Sequence, residues 1–182
     1  MMVKPTYSLS TSIVILGGGE SGVGAAILAT KKGYDVFVSD AAMIKARYKE
    51  DLHHYDIPYE EGGHDLTRIQ AADLIIKSPG IPNHIPVLID ARKRGQKIIS
   101  ELEWAWLFHK GKVVAVTGSN GKTTTVNWIF DMVQRAGIPS ALVGNVGMGY
   151  ARFVAEHDVD CFVVEVSSFQ LCLLYTSDAA DE

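Results

Sequence analysis

The sequence predicts an α/β fold with mainly parallel sheets, and three observations predict it. Short apolar, β-branched runs alternate along the chain with stretches of helical spacing. Two of those runs pass directly into glycine-rich loops that open helices, at residues 17–22 and 118–121. Other runs end in turns bearing glycine or proline, at residues 78–82 and 144–147. In parallel sheets the carboxyl ends of strands are where ligands bind.

The first unit reads as strand, loop, helix, strand. Ile13, Val14, Ile15 and Leu16 form a continuous apolar run, the mark of a strand buried on both faces. Gly17, Gly19 and Gly22 then fit G-x-G-x-x-G, a helix is expected over 23–32, and Gly33 closes it. A second strand over 35–39 ends in Asp40. An acid about twenty residues past such glycines commonly meets a ribose hydroxyl, so this unit predicts a nucleotide or dinucleotide site in a Rossmann-like domain. A glycine turn with Asp40 as an ordinary cap is the plainer alternative.

Residues 42–55 read as a surface helix. His53 and His54 are adjacent, so they point to different sides and do not suit one metal. Residues 57–59 suggest an edge strand because Pro58 lacks a ladder donor. Residues 60–64 read as loop, with His64 a weak functional candidate. A strand at 74–76 runs into the rigid turn Lys77, Ser78, Pro79, Gly80, which should share the crevice of the first glycine loop. A helix over 86–94, a strand over 97–99 and an amphipathic helix over 101–109 follow. Trp104 and Trp106 on that helix are expected as core or domain contacts. The short polar stretch 110–112 is the expected boundary, dividing the chain into residues 1–110 and 111–182.

The second unit is built around Thr117, Gly118, Ser119, Asn120, Gly121, Lys122, Thr123 and Thr124. It follows Val113, Val114, Ala115 and Val116, a β-branched run that reads as a buried strand, and precedes a helical pattern over 126–133. Backbone N–H groups and a helix N-terminus there suit phosphate oxygens, Lys122 can reach the outer phosphates, and the Thr123 hydroxyl can join a Mg²⁺ shell. The strict P-loop pattern has glycine where this chain has Val116, so the match is partial. A glycine turn capped by Ser119 and Asn120, with Lys122 solvated, fits the same residues. Strands over 140–143 and 161–164 complete the unit. The second of these ends at Glu165, which either helps hold Mg²⁺ beside the loop or faces solvent. This is the first part of a P-loop-type α/β ATP-binding domain.

Composition sets outer limits. The chain has 182 residues, 47% hydrophobic and 21% charged, with a net charge of −4, which excludes a general nucleic-acid binder with a basic face. Cys161 and Cys172 are too few for a disulfide framework, and Cys161 is expected as a buried thiol. No signal pattern opens the chain and no run suits a membrane span, so a soluble cytoplasmic protein without a membrane partner is expected.

The residues 17–24, Ser78-Pro79-Gly80, 117–124, 144–147 and 165–171 together resemble the Mur ligase family of peptidoglycan synthesis, in order from about Ile13 to Leu171. The Ser-Pro-Gly turn resembles the D-glutamate-adding branch, while the alanine-adding branch has histidine where this chain has Asn120. The resemblance implies ATP-dependent amide ligation through an acyl phosphate, with Mg²⁺ and ATP as cofactors. The implied substrates are UDP-N-acetylmuramoyl-L-alanine and D-glutamate, and the implied state is a monomer. It implies that Glu20, Ser21, Asp40, Ser78 and Gly80 hold the UDP end of the substrate. Gly118, Ser119, Asn120, Gly121, Lys122, Thr123 and Thr124 would hold ATP, and Thr123 and Glu165 the metal. Lys122, Glu165 and Asn145 would be catalytic, Asn145 also contacting the muramoyl part, with Ser167 and Gln170 lining the substrate side.

Residues 172–182 depart from the family pattern and read as a foreign junction. The family's metal-binding His, carbamylated Lys and third domain have no counterpart in these residues. The chain alone is therefore expected to be inactive and to expose apolar surface in its second half. Two rival classes suit parts of the sequence: an NAD(P)-dependent oxidoreductase, from the first glycine motif and Asp40, and a nucleotide-binding module without chemistry.

Overall fold

A computed structural model describes residues 7–167. The first sheet is formed by β1 (Ser12–Leu16), β2 (Asp35–Asp40), β3 (Tyr59–Glu61), β4 (Leu74–Lys77) and β5 (Lys97–Ser100), in the order β3-β2-β1-β4-β5 with every pair parallel. The second sheet is formed by β6 (Lys112–Val116), β7 (Ser140–Gly144) and β8 (Cys161–Glu165), in the parallel order β6-β8-β7. The helices are α1 (Glu20–Lys31), α2 (Ala46–His54), α3 (Leu66–Ala71), α4 (Pro86–Lys93), α5 (Glu101–Phe108), α6 (Lys122–Arg135) and α7 (Tyr150–Glu156).

The first sheet reverses its build direction at β1, which pairs with β2 on one side and β4 on the other. That reversal opens a crevice beyond the carboxyl ends of β1 and β4. β1 and β4 are apolar and almost wholly buried, as central parallel strands must be. Helix α1 is buried without interruption from Gly22 to Ala29, because it is covered on both sides. One side meets the first sheet and the other meets α7.

No local pattern in the sequence marks that second contact. The largest apolar core runs through both halves of the chain, joining Ile13, Ile27 and Trp104 to Val143, Tyr150, Val154 and Phe162. A Cβ on Gly24 would stand 3.0 Å from the Arg152 backbone nitrogen, so α1 and α7 approach closely where α1 has no side chain. Arg152 also makes a bidentate ion pair with Asp51 of α2, at 2.5 and 3.1 Å. The Lys31 ammonium donates to the Ala155 carbonyl at 3.2 Å.

Several boundaries differ from the sequence expectation. α2 starts at Ala46 rather than residue 42, because the chain after β2 is held in a loop: Asp40 accepts the Ala42 N–H and Glu61 accepts the Ile44 N–H. The edge strand β3 covers residues 59–61 rather than 57–59, so Glu60 and Glu61 are strand and not loop. α6 begins at Lys122 and α1 at Glu20, both earlier than the apolar pattern suggested, because polar first turns carry no apolar signal. α3 and α7 were missed; they have six and seven residues, too short for periodicity to stand out. Asp65 caps α3 through the Thr67 N–H, and that capping residue was a readable signal. α5 opens with a capping box, Ser100 and Glu103 each accepting the other's backbone N–H. Trp104 is fully buried against Tyr34 and Phe108, a core role as expected.

Exposed apolar surface, expected in the second half, lies on α6 and also on β6, which the sequence reads as a buried strand; β6 is the edge of its sheet among the described residues, and none of its residues is buried. Trp128 is 70% exposed, Met132 60% and Val114 37%. Such a patch favours self-association. Replacing Trp128 and Met132 together by Gln should shift the chain towards a smaller species in sedimentation at micromolar concentration. An unchanged distribution would place self-association elsewhere.

Candidate functional site

Both glycine loops leave the carboxyl ends of their sheets. In the first, Gly17 has φ 98° and follows β1; a Cβ on it would stand 2.8 Å from Ser78 Oγ. A Cβ on Gly22 would stand 1.8 Å from the Gly17 carbonyl oxygen, so the first turn of α1 rests directly on the loop backbone. Glycine is required at both positions by space, and at Gly17 also by φ. Ser78 is buried and its hydroxyl donates to the Gly17 carbonyl at 3.4 Å, so it buttresses the loop from β4. Gly80 lies in the open turn beyond, with nothing within 4 Å of a Cβ placed on it. Lys77, the last residue of β4, is buried and donates to the Ile81 carbonyl at 2.5 Å, staking that turn; burial lowers its pKa.

Asp40 is placed beside the glycines, but its carboxylate is already engaged. Oδ2 accepts the Gly18 N–H at 2.6 Å and Oδ1 the Ala42 N–H at 2.8 Å. It therefore ties β2 to the glycine loop. Glu20 is exposed and Ser21 half-buried on the first turn of α1. His64 is not isolated: its Nδ1 lies 2.6 Å from the buried Ser39 hydroxyl, which also donates to Glu60 at 2.6 Å. Among the described residues no group of three or more His, Cys, Asp or Glu is placed to hold a metal. Cys161 is a buried free thiol, and Cys172 lies outside the described residues.

The second site follows from strand register. β8 lies between β6 and β7, and Glu165 is in register with Val116 on one side and Gly144 on the other. The residues just beyond those two positions are the phosphate loop and Asn145. Glu165 is thereby brought to both. Its Oε2 accepts the Thr123 hydroxyl at 2.8 Å and its Oε1 accepts the Asn145 amide at 3.1 Å. Glu165 is 2% exposed and has no cationic partner among the described residues. A buried carboxylate held by two neutral oxygen- and nitrogen-bearing groups has unspent negative charge, and with the Thr123 hydroxyl it offers hard oxygen ligands. The donor set fits Mg²⁺.

The loop itself turns on Gly118, φ 149°, and Gly121, φ 77°, the latter capping α6 in a left-handed conformation. The Lys122 ammonium donates back to the Gly118 carbonyl at 2.6 Å. To reach a phosphate oxygen, Lys122 would have to give up that contact. Ser119, Asn120 and Thr124 lie on the loop and the first turn of α6, as the spacing predicted. Ser167 is half-buried two residues past Glu165, and Gln170 lies outside the described residues.

Two family sequence models match the chain. Residues 11–100 match the Mur ligase MurD-like N-terminal domain, and residues 116–180 match the Mur ligase middle domain. The chain belongs to the Mur ligase family. The middle-domain match runs to residue 180, across most of the stretch 172–182 that reads as a foreign junction and that lies outside the described residues.

Among Mur ligase relatives, the chain is 48% identical over 163 residues to the UDP-N-acetylmuramoylalanine–D-glutamate ligase of Christiangramia forsetii, covering 90% of this chain and 37% of that protein. It is 50% identical over 167 residues to the enzyme of that name from Porphyromonas gingivalis, covering 92% and 37%. The chain thus spans little more than a third of these relatives. Among solved structures, it is similar to the pseudomurein peptide ligase type C from Methanothermus fervidus, with a TM-score of 0.52 and 30% identity over 87% of this chain and 33% of that one. It shares its fold with the UDP-N-acetylmuramate:L-alanyl-gamma-D-glutamyl-meso-diaminopimelate ligase of Neisseria meningitides, with a TM-score of 0.57 and 22% identity, covering 88% and 55%. The α/β fold agrees with that of these ligases.

Proposed function

We propose that this chain is the substrate-holding and phosphate-loop portion of a UDP-N-acetylmuramoylalanine–D-glutamate ligase (MurD), with a first unit over residues 1–110 and a second over 111–182. The observation that carries this reading is the Thr123–Glu165–Asn145 cluster at the mouth of the phosphate loop. The choice of D-glutamate rests on relatives of that name at 45 to 50% identity. The enzyme would act in the cytoplasm as a monomer, in the cell-wall synthesis that supports cell shape and division.

In the reaction a substrate carboxylate oxygen attacks the γ-phosphorus of ATP and ADP leaves. The amine of D-glutamate then attacks the acyl carbon of the acyl phosphate and phosphate leaves. Lys122 and the loop amides hold the phosphates where negative charge builds in the transition state. Thr123 and Glu165 would hold Mg²⁺, which supplies charge neutralisation at the transferring phosphoryl group. Asn145 and Ser167 face the acceptor, with Gln170 assigned to the same side by resemblance. The first unit receives the UDP end, with Asp40 and Ser78 shaping the loop and Glu20, Ser21 and Gly80 on its open side. The complete reaction belongs to the whole ligase; this chain alone is expected to release no phosphate in a D-glutamate-dependent way.

Calorimetric titration tests the assignment. UDP-N-acetylmuramoyl-L-alanine should bind the chain, and NADH should not. Binding of NADH alone would make the first loop a dinucleotide site and overturn the ligase reading. Binding of ATP alone would favour a module without a UDP-substrate site.

A further inference from the structure

The N-termini of α1 and α7 meet around one buried acid. Glu101, the first residue of α5, is 3% exposed, and its Oε1 accepts the Ala151 N–H at 2.6 Å, on the first turn of α7. α7 follows the turn that begins at Gly144 and carries Asn145. A Cβ on Gly149, the N-cap of α7, would stand 3.7 Å from Glu20 Cγ at the start of α1. Glu20 opens α1 just after the first glycine loop, and Asn145 donates to Glu165 at the end of β8. We propose that Glu101 is a positioning residue: its carboxyl docks α7 against α1 and so sets the spacing between the first glycine loop and the turn that carries Asn145. The inference rests on packing within the chain and stands whichever ligand the first loop takes.

The charged and titratable groups around Glu101 are few. Glu20 on α1 and Tyr150 on α7 interact with it electrostatically, and His109, at the end of its own helix, stacks near Tyr150. Arg152 on α7 is paired with Asp51, and Lys77 on β4 is bonded to the Ile81 carbonyl. Burial first, and then the Glu20 charge, push the Glu101 carboxyl up to about 7, against the Ala151 hydrogen bond, which lowers it. Docking favours the protonated carboxyl, so the stabilisation is full below the ordinary carboxylate pKa and is lost as pH rises through about 7.

Hydrogen exchange of the α7 amides in the full chain, corrected for intrinsic base catalysis, tests this. Protection at Ala151 and its neighbours in wild type should fall by roughly tens of fold between about pH 5 and pH 8. Glu101→Gln keeps an acceptor of the same size without the charge. Its α7 protection should match wild type at low pH and exceed it at high pH. Glu101→Ala should lower protection at both. Because His109 persists in Glu101→Gln, an undiminished fall in that variant would assign the pH dependence to His109 and overturn the proposal. Flat protection in wild type would overturn it as well, without recourse to any variant.

Discussion

Gly22→Ala is expected to destabilise the chain by about 3 kcal/mol or more, read as a lowered urea midpoint at unchanged slope. Helix propensity alone argues the other way, since glycine to alanine inside a helix gains about 1 kcal/mol. Sterics decide. The new methyl would stand 1.8 Å from the Gly17 carbonyl oxygen, 2.8 Å from Ser78 Oγ and 2.9 Å from the Gly17 carbonyl carbon. Two of those atoms are backbone, so no side-chain rotation relieves the overlap. α1 would have to lift from the loop, and α1 is buried by the first sheet and by α7 alike. Gly121→Ala is the control. Gly121 has φ 77° but nothing within 4 Å of a Cβ, so the loss there should be conformational only, about 1 kcal/mol. A neutral or stabilising Gly22→Ala would mean that α1 does not approach the end of β1 as closely as described.

Lys122→Ala is expected to weaken binding of ATP with Mg²⁺ by about 10- to 100-fold, the range set by one hydrogen bond to a charged group. The loss is smaller than the full ammonium–phosphate interaction. In the free chain Lys122 already donates to the Gly118 carbonyl at 2.6 Å, and that contact is surrendered on binding. Glu165→Gln separates the metal from the loop. The glutamine keeps the size and one acceptor for Thr123 or Asn145, but it removes the charge that suits the cation. ATP affinity without Mg²⁺ should be nearly that of wild type, and the gain on adding Mg²⁺ should largely vanish. Titration calorimetry with and without the metal reads both effects. Wild-type affinity in Lys122→Ala would return the loop to a plain glycine turn, the simpler alternative that its residues allow.

The local parts of this protein were legible in the residues. Ile13 to Leu16 and Leu74 to Ile76 read as buried strands because a parallel central strand is apolar on both faces, and the structure buries them. The two glycine loops were legible because phosphate-type turns need backbone conformations that few residues other than glycine adopt. Gly17, Gly118 and Gly121 do lie at positive φ. Thr123 and Glu165 were named from their places at a loop and a strand end, and they meet at 2.8 Å.

What the residues alone could not decide was which ends come together. Glu165 reaches both Thr123 and Asn145 only because β8 inserts between β6 and β7, and strand order is a long-range choice that local patterning does not encode. The role of Asp40 changed for a similar reason. As a strand-end acid it suits a ribose, but the folded loop presents it with the Gly18 and Ala42 amides. Glu101 looked like one polar residue in a helix's first turn. It is buried where α7, seven residues with no side-chain cap, crosses from the second half of the chain and donates the Ala151 N–H to it. Sequence by itself determined the central strands and the two glycine loops. Tertiary structure decided the pairing of those parts, because packing free energy is shared among residues more than a hundred positions apart, as between Asp51 and Arg152.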